Sequence, residues 1–406
     1  MSRKKILLLI PNLGFGGAQR VFSKQAMMLS NRYEVVECTF NNNHKGVYSS
    51  YGRITTLAVP AGNNIFTKAY YFLKRCWQLR RLKNEERPDI TISHMEGANY
   101  VNILSGGKGR KILVIHGSKT APDSNYTGFL DWVQRRVLIP YLFKFADCIV
   151  PVSEGIEREL SGIYGIPSEK IMVIKNSFDI EEILLQSQES LPPEFAVFDN
   201  KPTIISCGRL ASQKNPLALL QVFLMVRKQY DCRLLLVGDG HLKEAFINQA
   251  LAEGLEVYDN TSNETALEKV GSSDVVVLGF QSNPFKFVKN ANVFAMSSDF
   301  EGFPLALAEA MICGTPVIST DCPTGPRELL APGTDVTYQT TKVEETPYGW
   351  LMPLLKDQRA IDQWVDTVVQ LLEKPPSAKA EAAQQRMEEF SQEKIARQWL
   401  DLIEKL

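Results

Sequence analysis

Short runs of valine, isoleucine and leucine recur along this chain, and longer stretches with helical periodicity fill the gaps between them. Runs at 4–10, 34–40, 53–58, 89–93, 111–115, 147–151 and 171–175 read as strands. A second series follows at 203–207, 232–237, around 256–258, 275–278, 292–296 and 315–319. Continuous apolar runs are expected of strands covered on both faces, and their alternation with helices implies parallel sheets. The two series are separated by I-E-E-I-L-L-Q-S-Q-E-S-L-P-P-E-F-A-V-F-D-N-K-P at 180–202, polar and proline-bearing, which reads as a linker. Each series opens alike. K-I-L-L-L-I leads into P-N-L-G-F-G-G-A-Q-R and a helix, and T-I-I-S-C leads into G-R-L-A-S-Q-K-N-P and a helix. The repetition predicts two Rossmann-like α/β domains in tandem. The last stretch, F-S-Q-E-K-I-A-R-Q-W-L-D-L-I-E-K-L, reads as an amphipathic helix with Phe390, Ile395, Trp399 and Leu402 or Ile403 at helical spacing.

Length and composition fit this picture. At 406 residues the chain exceeds one ordinary core. With 44% hydrophobic and 22% charged residues it has the makings of ordered globular structure. No apolar run approaches the roughly 20 residues of a membrane span. The start, M-S-R-K-K-I-L-L-L-I-P, imitates a secretory leader, but no small-residue cleavage site follows, so it is assigned to a first strand. Seven cysteines (38, 76, 148, 207, 232, 313, 322) are scattered with no C-x-x-C pair, which predicts reduced thiols and a cytoplasmic chain. The four histidines (44, 94, 116, 241) have no metal-ligand spacing, so no metal site is expected. The net charge of −1 conceals an asymmetry. Residues 1–180 hold 25 Lys and Arg against 14 Asp and Glu, and the remainder holds 20 against 32. A basic front half could meet anionic lipid, a phosphorylated acceptor or an acidic glycan, or be ordinary solvated surface.

Three segments carry candidate chemistry. Gly14, Gly16 and Gly17 lie between the first strand and its helix, where backbone amides can approach an anion. Their G-x-G-G spacing is not the dinucleotide fingerprint, and the second strand ends Glu37-Cys38-Thr39-Phe40 without the usual acidic terminus, so NAD is disfavoured. Arg209 and Lys214 follow a strand end in a short loop; two fixed cations there suit a diphosphate, while the bland alternative is a surface loop. Glu301 and Glu309 bracket G-F-P-L-A-L-A, with Pro304 near a helix start. One carboxylate can grip sugar hydroxyls and the other a ribose, or the two are a capping residue and a solvated one. His116 closes the run V-I-H-G-S; such a histidine is more often structural than catalytic. Basic segments rich in aromatics, K-A-Y-Y-F-L-K-R-C-W-Q-L-R-R-L-K at 68–83 and V-Q-R-R-V-L-I-P-Y-L-F-K-F at 133–145, could lie on an anionic bilayer. The commoner arrangement puts the aromatic face in the core and the cations in water. No motif supports nucleic-acid binding.

Taken in order, G-F-G-G-A-Q-R, V-I-H-G-S, C-G-R-L-A-S-Q-K-N with V-G-D-G downstream, and E-G-F-P-L-A-L-A-E-A-M-I-C-G-T-P-V-I resemble the retaining glycosyltransferases of GT-B architecture, in particular family 4. The resemblance spans nearly the whole chain and is strongest over 203–330. It implies an α/β fold of two Rossmann-like domains facing across a cleft. Residues 1–178 would bind the acceptor, 179–385 the nucleotide sugar, and 386–406 would cross back to the first domain. It further implies a UDP-sugar donor, no cofactor, and a glycan or lipid-linked acceptor, with the chain attached, if at all, to the inner face of the plasma membrane. Glu301 would hold donor-sugar hydroxyls and Glu309 the ribose. Arg209 and Lys214 would stabilise the leaving diphosphate in place of a metal, and His116 would lie close to the transferred sugar. Gly16 and Gly17 would approach the phosphates, and the uracil would bind near Phe280 and Gln281, with Gly238, Gly302, Phe303, Pro304 and Leu305 completing the donor site. Retention without an assigned nucleophile implies front-face attack. Proline after E-G-F, and D-C-P-T-G-P-R-E-L at 321–329, resemble the subset that handles galactose or N-acetylhexosamines. I-K-N-S-F-D at 174–179 stands where many relatives have a proline–asparagine–glycine turn. The alternatives are a sugar-nucleotide epimerase of the same architecture and a non-catalytic nucleotide-sugar-binding protein.

Overall fold

The computed structural model describes residues 3–14, 16–41, 48–120, 133–193, 195, 201–262 and 270–406, the side chain of Gln134 excepted. Phe15 of the glycine-rich turn, His44, and residues 194 and 196–200 of the linker reading lie outside the described residues. The chain divides into two compact units, one formed by Met1–Ser177 with Glu393–Leu406 and the other by Phe178–Gln392.

The first unit is built on a six-stranded parallel sheet. Its strands are β1 (Lys5–Ile10), β2 (Glu34–Thr39), β3 (Arg53–Thr56), β4 (Ile90–His94), β5 (Arg110–Ile115) and β6 (Cys148–Pro151), in the order β3-β2-β1-β4-β5-β6. Central β1 is wholly buried from Ile6 to Ile10, as the uninterrupted apolar run requires. Three helices position its functional edge: α1 (Gly17–Ser30), α2 (Ile65–Glu86) and α3 (Glu96–Leu104). The terminal helix Gln392–Lys405 buries Ile395, Trp399, Leu402 and Ile403. Lys4 Nζ donates to the Ile403 carbonyl (2.9 Å) and the Tyr33 hydroxyl to Glu404 (2.8 Å), tying that helix to this sheet.

One expected strand is absent. Residues 171–175 share a single bridge with β6, Ile149 to Ile171. The amides of Met172 and Ile174 donate to the carbonyls of Ile149 and Pro151. The next rung needs an amide hydrogen at Pro151, which has none, so the ladder stops.

α2 divides between the two arrangements open to it. It starts at Asn64, whose Oδ1 accepts from the Thr67 amide (2.9 Å) while Thr67 Oγ1 accepts from the Asn64 amide (3.0 Å). Cys76 and Leu79 enter the core, with Tyr71, Phe72 and Leu82 packed partly against it. Phe66 (83% exposed), Tyr70 (61%), Leu73 (67%) and Trp77 (61%) face the other way. The aromatics thus divide between core and solvent instead of sharing one buried face.

The second unit carries an eight-stranded sheet: β7 (Thr203–Cys207), β8 (Arg233–Val237), β9 (Val257–Asp259), β10 (Val275–Gly279), β11 (Val293–Met296), β12 (Val317–Thr320), β13 (Glu344–Thr346) and β14 (Gly349–Met352). The order is β13-β14-β12-β11-β7-β8-β10-β9, and every ladder is parallel except β13 with β14. That terminal hairpin is missing from the sequence reading, because E-E-T and G-W-L-M are too short and too mixed to announce strands. The linker reading is corrected at its start. Residues Ile180–Ser187 form helix α4, capped by Asp179, whose Oδ1 accepts from the Glu182 amide (3.0 Å), with Ile180 and Ile183 buried. Further helices include α5 (Pro216–Gln229), α6 (Leu305–Ile312) and α7 (Gln358–Glu373); Trp364 of α7 is fully buried and donates Nε1–H to the Pro353 carbonyl (3.1 Å).

Candidate functional site

In each sheet the chain reverses its direction of travel beside one central strand. The crevice beyond the carboxyl ends at such a point is where open parallel sheets bind ligands. In the second unit it lies between β7 and β11. The loop after β7 carries Arg209 and a short 3-10 turn, Ser212–Lys214, before α5. The loop after β11 carries Ser297 to Glu301 before α6.

The two loops are stitched together. The Asp299 amide donates to the Gln213 carbonyl (2.9 Å), Gln213 Nε2 to the Phe300 carbonyl (2.9 Å), and Ser297 Oγ to the Lys214 carbonyl (2.8 Å). Asn215 Nδ2 donates to Asp299 Oδ1 (3.2 Å); burial nonetheless lifts the Asp299 carboxyl above the usual carboxylate range. Lys214 Nζ reaches Glu301 Oε1 at 2.5 Å. The glutamate side chain is 7% exposed and the lysine 23%, so this ion pair is shielded from bulk water but open on one side. Arg209 is exposed and lines the same pocket as Gly208, Lys214, Ser297 and Ser298. Ser298 Oγ is fully buried there and has no hydrogen-bond partner among the described residues. An unsatisfied buried hydroxyl at a pocket wall costs about 1–3 kcal/mol unless a ligand or water meets it. Ser298 is a site residue the sequence reading missed; its signal was the polar pair closing an apolar strand.

The strand-end glycines permit close packing of these loops. Gly238, at φ +139°, sits so near Gly208 that a Cβ would lie 1.9 Å from the Gly208 carbonyl oxygen. α6 begins at Pro304 without a side-chain cap and with no acidic residue in its first turn, leaving its first amides for a ligand. Glu309 lies in its second turn, 8% exposed. Phe303 is 5% exposed, its ring packed against Phe178 (6.3 Å) and Phe390 (5.7 Å), so its amide, not its ring, is what a ligand can use. Gly302 and Pro304 are buried beside it, and Leu305 is half-buried. Phe280 is exposed after β10, and Gln281 Nε2 donates to the Leu278 carbonyl (3.0 Å), two strands from Arg209.

The first unit reverses between β1 and β4. Gly16 caps α1 and Gly17 is its first residue; no side chain caps that helix either. Asn12 Oδ1 closes the turn, accepting from the Gly14 amide (3.1 Å) and Gln19 Nε2 (3.2 Å). His116 follows β5 and is half-buried. Its Nε2 lies 2.9 Å from Nδ1 of fully buried His94, the last residue of β4, and the two rings stack at 5.0 Å. Burial holds both imidazoles neutral, lowering the His116 pKa to about 3 and the His94 pKa well below its ordinary value.

Comparison with known proteins follows the same division. Residues 15–182 match the family described as Glycosyltransferase Family 4, and residues 187–387 match Glycosyl transferases group 1. An uncharacterized glycosyltransferase of Methanocaldococcus jannaschii is 28% identical over 368 residues, 82% of this chain and 84% of that protein. The N-acetylgalactosamine-N,N'-diacetylbacillosaminyl-diphospho-undecaprenol 4-alpha-N-acetylgalactosaminyltransferase of Campylobacter jejuni is 26% identical over 361 residues, 88% of this chain and 91% of that one. Among solved structures, Anabaena HepE in complex with UDP and glucose has the same fold, with a TM-score of 0.73 at 16% identity, covering 99% of this chain and 100% of HepE.

Proposed function

We propose that this chain, which belongs to the GT-B glycosyltransferases, transfers a hexose or N-acetylhexosamine from a UDP-sugar to a glycan or lipid-linked acceptor with retention of configuration. The observation that carries the reading is Lys214, paired with Glu301 at the second unit's switch point and lining one pocket with Arg209 and the Ser298 hydroxyl, which has no partner among the described residues. A leaving diphosphate develops negative charge on its oxygens as the glycosidic bond breaks. Arg209 meets that charge through a planar fork of N–H donors and Lys214 through a mobile ammonium, in the place a metal ion would otherwise take. The first-turn amides of α6 add oriented dipoles. Glu301, already holding Lys214, accepts from hydroxyls of the donor sugar, so one side chain ties the sugar's position to that of the leaving group. Glu309 takes the ribose hydroxyls. With no carboxylate assigned as a nucleophile, the acceptor hydroxyl attacks from the face the diphosphate leaves, and a leaving-group oxygen receives its proton.

The name of the Campylobacter relative supports a lipid-linked acceptor. So does the outward stripe of α2. Phe66, Tyr70, Leu73 and Trp77 recur at helical spacing, and Arg80 and Arg81 are exposed on the following turn. An apolar stripe of aromatics edged by cations suits the interface of an anionic bilayer. Among the described residues no helix is long and apolar enough to cross a membrane, so attachment of this kind would be peripheral. Incubation with labelled UDP-sugars and a lipid-diphosphate sugar acceptor tests the function. Label in the acceptor is expected; label confined to an epimerised donor would replace transfer with epimerisation.

A further inference from the structure

The histidine pair has a structural consequence beyond these assignments, and it rests on the transfer reading only for its substrate. His94 contacts two partners: Nε2 lies 2.7 Å from Gln25 Oε1, and Nδ1 lies 2.9 Å from His116 Nε2. A neutral imidazole carries one N–H. If His94 Nε2–H donates to the Gln25 carbonyl oxygen, His94 Nδ1 can only accept. The proton in the 2.9 Å contact must then sit on His116 Nε2, which leaves His116 Nδ1 with a bare lone pair. The arrangement is rigid. His94 is fully buried, with the Phe22 ring edge-on at 5.2 Å, and Gln25 is 5% exposed on α1. The loop beyond His116 is pinned by Glu159, whose carboxylate accepts from Ser118 Oγ (2.6 Å), the Lys119 amide (2.6 Å) and Thr120 Oγ1 (2.8 Å).

We propose that Gln25 and His94 are positioning residues that lock His116 in the Nε2–H tautomer, so that His116 offers Nδ1 as a hydrogen-bond acceptor to a substrate hydroxyl. The ligand group is a sugar O–H. A carbonyl or phosphate oxygen, having no proton to give, is refused at that atom. His94 itself touches no substrate; it acts through the tautomer it imposes, as an orienting partner does for other catalytic imidazoles.

The test reads the tautomer directly. The full chain is labelled with 15N-histidine, and long-range proton–nitrogen spectra are recorded at neutral pH. Only four histidines contribute, and His116→Asn identifies the relevant signals. The proposal expects His116 with a protonated Nε2 and an unprotonated Nδ1. It further expects His94→Phe to relax His116 toward a mixture of tautomers and to lower kcat about tenfold, the worth of one hydrogen bond, with the KM for donor little changed. Gln25→Leu, which leaves both rings in place, is expected to shift the His116 signals in the same direction by less. A protonated Nδ1 with a bare Nε2 in the unmodified protein overturns the proposal, and so does a His116 tautomer unmoved by both substitutions. The spectra need no substrate, so they decide the matter separately from any failure to detect sugar transfer.

Discussion

The two sheets present the same opening to solvent and fill it with opposite chemistry. Beside β1 the groups at the strand ends are neutral: amides at Gly16 and Gly17, the Asn12 and Gln19 side chains, and two imidazoles that burial keeps uncharged. The nearby charges are already engaged, Lys119 with Glu96 and the Glu159 carboxylate with the donors of the loop after His116. Beside β7 they are charged: Arg209, Lys214, Glu301 and Glu309. Topology therefore fixes where a ligand goes, and the residues closing the strands decide which part of a reaction each opening can serve. The charged crevice suits a leaving group that gains negative charge. The neutral crevice suits hydroxyls, which need directional partners more than counter-charges.

The largest effect is expected from removing charge at β7. Arg209→Ala should reduce kcat by roughly a hundredfold or more, measured as UDP release under saturating donor with unfolding monitored in parallel. Arg209 is the cleaner probe, because Lys214→Ala would also leave the buried Glu301 carboxylate unpaired. Replacing Phe66, Tyr70, Leu73 and Trp77 together by serine should abolish sedimentation with anionic vesicles while leaving transfer to a soluble acceptor intact. Equal sedimentation of both proteins would withdraw the membrane reading. Glu301→Gln separates the roles within the pair. With Lys214 released from its counter-charge, UDP should bind several-fold tighter while turnover falls, which equilibrium titration and initial rates would register. Smallest is the acid response of the neutral crevice. His116 is held neutral in the fold, with a pKa of about 3 against about 6.5 unfolded. The unfolded chain thus binds more protons, and stability contributed by the neutral ring is lost progressively as pH falls from about 6.5 toward 3. Chemical denaturation across that range should show a shallower loss for His116→Asn.

Much of this contrast is legible in the sequence alone. The continuous apolar runs located β1 and β7 within a residue, and the α/β class with parallel sheets followed from them. Arg209, Lys214, Glu301 and Glu309 stood out because charged residues at the ends of greasy strands demand a reason. Partnerships across long separations were not legible. Nothing in the local sequence says that Lys214 and Glu301, 87 positions apart, form an ion pair. The runs I-T-I-S-H and V-I-H each end in histidine, and only the fact that β4 and β5 are neighbours turns that coincidence into a pair. The loss of the strand expected at 171–175 was hidden because it turns on the missing amide hydrogen of Pro151 in the neighbouring β6, a partnership that the local sequence does not show. Which aromatics of α2 face solvent was not legible either, because composition reports how many there are, while burial depends on which side of the helix each occupies.

The central claim is that the β7 crevice holds a diphosphate. Calorimetric titration of the protein with UDP and, separately, with uridine tests it most directly. The account predicts UDP binding at least a hundredfold tighter, with most of that gap lost in the Arg209→Ala, Lys214→Ala double variant. Equal affinities for the two ligands, or a gap untouched by removing both cations, would contradict it.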